Sequence, residues 1–146
     1  MKILKYTAIL FLAITTFSCS SDDANDTHII ELYSSTGSLV QGYNHISLRI
    51  KDKKTSTYIT DAEISWTPLM HMAMMQHSCP RSKVEKVDKK TVFEGDIIFQ
   101  MAQNETEYWE LSITYKINGA SYTATDKINV PASSKRTVSS FKGSDG

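Results

Sequence analysis

The stretch Trp109-Glu110-Leu111-Ser112-Ile113-Thr114-Tyr115-Lys116 decides the fold. Large apolar side chains take every second position and polar ones fill the gaps. A period of two fits a strand with one buried and one wet face; a helix would space its apolar residues three and four apart. Asn118-Gly119 follows, a pair that readily takes the positive φ values of a tight hairpin turn. Tyr122 to Val130 then reads as the returning strand.

The same period recurs upstream. His28-Ile29-Ile30-Glu31-Leu32-Tyr33 is one candidate strand. Ile46, Leu48 and Ile50 alternate with Ser47, Arg49 and Lys51, and Ala62, Ile64 and Trp66 with Glu63, Ser65 and Thr67. Val92 to Phe99 opens a further strand region, with a bend expected at Gly95. No stretch of helical length carries apolar residues at i, i+3 and i+4. About six or seven short strands without intervening helices predict an all-β protein, an antiparallel β-sandwich. Its span is residues 28–131, with Trp66 and Trp109 plugging the core. The segment 132–146, rich in Ser, Lys and Gly, is expected to be a flexible tail.

The 146 residues carry 16 basic and 16 acidic side chains. Such a balance supplies no field for gripping phosphate backbones, so no nucleic-acid partner is expected. Neither a glycine-rich phosphate loop nor a nucleophile elbow is present. Glu105 and Glu107 sit in a polar turn, without a cleft around them, and read as solvent-facing acids. The chain is therefore expected not to be an enzyme.

Residues 1–18 form an address. Lys2 and Lys5 are followed by an apolar run from Tyr6 to Phe17, the length of a signal-peptide core and too short for a comfortable membrane span. The run closes on Ser18-Cys19, which resembles the lipobox of bacterial lipoproteins, in which the cysteine is acylated and becomes the new N-terminus. Phe17 departs from the small or aliphatic residues that pattern prefers. The alternative is an ordinary secretory signal that leaves Cys19 a plain thiol. On the lipoprotein reading, Cys19 is the lipidation site and residues 19–27 are a polar tether. Ser20-Ser21-Asp22-Asp23 resembles export signals toward the outer membrane, so a lipid-anchored, cell-envelope location is expected. Cys79 then has no intrachain partner and is free, a ligand or bonded between chains.

One segment does not fit a plain sandwich. Thr67-Pro68-Leu69-Met70-His71-Met72-Ala73-Met74-Met75-Gln76-His77-Ser78-Cys79-Pro80 holds four of the chain's six methionines, two of its four histidines and Cys79. Pro68 and Pro80 bracket it, which disfavours a continuous strand or helix. Residues 81–90 read as exposed loop. Thioether, imidazole and thiol are soft or borderline donors that suit Cu(I). Hard cations want carboxylates, which the segment lacks, and zinc has little use for thioethers. The candidate metal ligands are Met70, His71, Met72, Met74, Met75, His77 and Cys79. Were residues 70–77 extended, Met70, Met72 and Met74 would share one side, and His71, Met75 and His77 the other. The competing reading is a Met-rich surface that fills space or meets a protein partner without metal. His28 and His45 read as structural or exposed. Met101 reads as core, with an approach to the cluster in space left open.

With these residues in view, the chain resembles the YtkA-like family, related in architecture to FixH-like and copper-resistance immunoglobulin-like domains. The resemblance covers about residues 38 to 130. It rests on Gly42-Tyr43-Asn44 before an alternating strand, Ala62-Glu63-Ile64 leading into the Met/His loop, Phe93 to Met101, and Trp109-Glu110-Leu111-Ser112-Ile113. It implies an immunoglobulin-like sandwich outside the cytoplasm, often lipid-anchored and tied to copper or to oxidase maturation. The family's Met/His loop maps onto Met70, His71, Met72, Met74, Met75 and His77. This loop is longer than the family's simpler Met-Pro-Met loops and adds His77-Ser78-Cys79-Pro80. The expected role is copper handling, with delivery to a cuproenzyme or a copper-trafficking partner.

Overall fold

The computed structural model describes residues 27–88 and 90–135. The signal segment, Cys19 and the tail beyond residue 135 lie outside the described residues. Eight strands form in chain order: β1 His28–Ser34, β2 Gly42–Asp52, β3 Glu63–His71, β4 Gln76–Ser78, β5 Glu85–Lys86, β6 Phe93–Phe99, β7 Tyr108–Ile117 and β8 Ala120–Ile128. They make two antiparallel sheets of four, in the orders β1-β2-β6-β5 and β4-β3-β7-β8. That pair of orders is the Greek-key arrangement of an immunoglobulin-like sandwich, whose fourth strand sits at the edge beside the third.

Alternation along β2, β3, β6 and β7 places one apolar row from each on the inner face. Ile46, Leu48, Ile50, Phe93, Ile97 and Phe99 face Trp66, Trp109, Leu111, Ile113 and Tyr115, all buried. The tight turn between β7 and β8 forms at Asn118-Gly119, with φ of 49° and 84°, the two positive values that hairpin type requires.

Two expectations need correction. The count is eight strands because β4 and β5 lie in segments that read as loop. They are three and two residues long, too short to show a period. The register of β2 on β6 runs unbroken through the Ile46–Gly95 pair. The glycine is there for room: a Cβ on it would stand 2.5 Å from Cζ2 of Trp66. Finally, Pro68 lies inside β3, opposite Leu111 of β7. The carbonyls of Trp66 and Pro68 accept bonds from Arg81 Nε (2.9 Å) and Ser78 Oγ (2.7 Å). Both therefore point away from β7. In an antiparallel strand a residue's N–H and C=O point the same way, so the missing N–H of Pro68 falls on the edge side and removes no β7 bond.

Asn44 closes the loop between β1 and β2. It is fully buried, donates to the carbonyls of Val40 and Gly42 (2.8 and 2.9 Å) and accepts from the Val40 N–H (3.0 Å). On the outer face of the same sheet His45 Nδ1 meets Asp96 Oδ1 at 2.8 Å, and Tyr43 donates to the same oxygen. The hydrogen bond to Asp96 holds the His45 imidazole above its ordinary range, and His45 holds the Asp96 carboxyl below its own. His28 packs edge-on against Tyr115 and Tyr122. Both histidines thus have structural partners away from the methionines.

Candidate metal centre

β3 and β4 form a hairpin whose tip is Met72-Ala73-Met74-Met75. The Met72 N–H donates to the Met75 carbonyl at 3.0 Å. Met70 pairs with His77 and His71 with Gln76. The chain reverses inside the segment, so the extended-strand assignment of faces does not hold. Met70 and His77 share the inner face, while His71 and Gln76 share the outer one.

The outer side is occupied. The His71 ring stacks on Tyr108 with centroids 4.7 Å apart. Its Nδ1 lies 2.8 Å from Gln76 Nε2, and its Nε2 stands 3.3 Å from Glu110 Oε1. The amide can only donate to Nδ1, which puts the ring proton on Nε2, toward the carboxylate. A metal could take His71 only by breaking one of these contacts. On the inner side His77 meets Trp109 edge-on at 5.7 Å. Its Nδ1 lies 3.2 Å from the Ser78 carbonyl. A carbonyl only accepts, so that nitrogen carries the proton and Nε2 keeps its lone pair. A backbone carbonyl holding one ring nitrogen is how a metal-binding imidazole is commonly oriented.

The sulfurs separate by depth. Met70 is fully buried and Met72 packs against the core from a half-buried position. Met74 and Met75 project from the tip, 95% and 62% exposed. Cys79 is buried beside Trp66, Pro80 and Arg81. Burial pushes its thiol up to about 11, so it is neutral at physiological pH, whereas a metal needs the thiolate. No group of three or more His, Cys, Asp or Glu side chains among the described residues is placed to hold a metal. Any metal site here would have to rest on thioethers.

One methionine outside the segment is tied by its backbone to the tryptophan that the hairpin meets. Met101 follows β6, and its carbonyl accepts the indole N–H of Trp109 at 2.9 Å. Trp109 also pairs with Met70 across the β3–β7 ladder. No local sequence signal links Met101 to the hairpin; only the register of β3 on β7 does so.

The state of Cys79 gives a direct expectation. With the native full-length chain at pH 7.5, a thiol-reactive probe should label Cys79 roughly 100-fold more slowly than a free cysteine, because so little thiolate is present. Unfolding in urea should restore the ordinary rate, followed by peptide mass mapping. Fast labelling of the folded chain would mean the thiol is accessible and ionised.

No family model, curated protein or solved structure matches the chain. No helix among the described residues is long and apolar enough to cross a membrane.

Proposed function

We propose that the protein is a lipid-anchored, non-catalytic envelope protein of YtkA-like type that binds copper as Cu(I) at the β3–β4 hairpin. The observation that carries this reading is the exposure of Met74 and Met75 at a hairpin tip, with Met72 and His77 next to them. Exposed methionines add nothing to a core, and a tip needs none for its turn. As soft donors they have a use toward a soft cation. Burial argues that Met70 and the neutral Cys79 are packing residues. The hydrogen bond with Gln76 and the stacking on Tyr108 argue the same of His71. The ligand set favoured is Met72, Met74, Met75 and His77. The strand orders support the YtkA-like resemblance as a fold, and the lipobox resemblance at Cys19 supports the anchor.

Cu(I) titration of the full-length chain against a competing chelator tests this. Changing Met72, Met74 and Met75 together to Leu should weaken binding by at least about 100-fold, some 2.7 kcal/mol. Equal binding by the two chains would remove the metal reading. The same exposed tip favours one rival, a docking knob for a protein partner. A partner captured equally well under a copper chelator would support that rival.

A further inference from the structure

We infer that Met101 is an additional thioether ligand of this site, which places the ion at the end of the sandwich over Trp109. The inference rests on the copper reading above and deepens it. Met101 lies outside the segment that suggests the metal, at a distance in sequence no loop motif would span. Its backbone is nevertheless fixed on the indole by the bond from Trp109 Nε1, 2.9 Å long. The imidazole of His77 meets the same indole edge-on. Trp109 is thus a shared floor, with His77 on one flank and Met101 on another.

Exposure completes the case. Met101, expected in the core, is instead 37% exposed. β6 ends at Phe99, so Met101, next in its inner row by spacing, lies beyond the strand. A methionine left partly outside, its backbone on the same indole that His77 meets, is available to a soft ion. Its unbranched side chain can turn onto that ion without moving the backbone. Trp109 beneath is fully buried, so that side of the site is closed to water. Coordination by Met101 also joins the loop after β6 to the hairpin, so the ion would bridge the two sheets. A hairpin-only site would leave that loop untouched.

The test uses the full-length chain in detergent, carrying ¹³C-methyl methionine and titrated with Ag(I), a redox-inert soft cation. The Met101 resonance is identified by its absence in Met101→Leu, a change of similar volume at a partly exposed position. One equivalent of Ag(I) should move the Met101 methyl signal together with those of the hairpin tip. Met101→Leu should bind Ag(I) about tenfold more weakly under chelator competition. A fixed Met101 signal while the tip signals move, or unchanged affinity in Met101→Leu, would overturn the inference and leave the hairpin reading standing. If no methionine signal moves, both fall together.

Discussion

Trp109→Ala should cost about 3–5 kcal/mol of folding stability, the range for deleting a large aromatic from a packed core. Trp109 is fully buried, and three separate packings meet on it. Phe99 approaches edge-on at 5.0 Å from the opposite sheet, and His77 edge-on from the hairpin. Met70 and Ile128 flank it across the two neighbouring strands. Removal leaves a cavity that these side chains cannot all fill, and it strands the Met101 carbonyl without its donor. Trp109→Phe separates the two effects. It keeps most of the ring volume but loses the N–H, and should cost about 1–3 kcal/mol, much of it from the unpaired carbonyl. Met74→Ala, at an almost fully exposed position, should change stability by less than about 0.5 kcal/mol. Urea unfolding followed by far-UV circular dichroism gives all three values. A loss below about 1 kcal/mol for Trp109→Ala would show that the end of the sandwich is not packed as described.

Trp109 also marks where the sequence was legible and where it was not. Its alternation with Leu111, Ile113 and Tyr115 identifies β7 and its buried face, and Asn118-Gly119 identifies the turn to β8. Both are local signals, and local periodicity is what a half-buried strand writes into a sequence. The Met/His segment was legible as chemistry but not as geometry. After the reversal at residues 72–75, the face of each side chain depends on the register of β4 against β3. That register is set by packing on Trp109 and by the bond from Ser78 to Pro68, not by spacing. A one-residue slip would exchange the faces of His77 and Gln76. The two histidines, six residues apart, therefore lie on opposite faces, one bonded to Gln76 and stacked on Tyr108 and the other packed edge-on against Trp109. Pro68 misled for a related reason. A proline forbids a strand only where its N–H is needed, and the need depends on which edge of β3 is covered.

Gly95→Ala should cost roughly 1–3 kcal/mol, although alanine is ordinarily at least as well tolerated as glycine in a strand. Gly95 is not held by a positive φ. It is held by space: the added Cβ would lie 2.5 Å from Trp66 Cζ2 and 3.0 Å from both the Lys83 carbonyl and Ser82 Oγ. The indole cannot simply withdraw, because its N–H donates to the Ser82 carbonyl at 3.0 Å. The backbone around Ser82 is itself tied to β6, with Ser82 N–H bonded to the Asp96 carbonyl and Ser82 Oγ accepting from the Asp96 N–H. Strain at the methyl group is thereby shared among β3, β6 and the segment before β5. Shrinking the knob should relieve it. In a Trp66→Phe background the added methyl should cost less than about 1 kcal/mol, giving a coupling of at least ~1 kcal/mol in a double-mutant cycle. Additive effects, with Gly95→Ala equally harmful beside Phe at position 66, would place the clash on the Ser82–Lys83 segment instead. The glycine would then be fitted to the chain crossing its own sheet edge, and the sandwich would not depend at this point on an indole from one sheet filling a hole in the other.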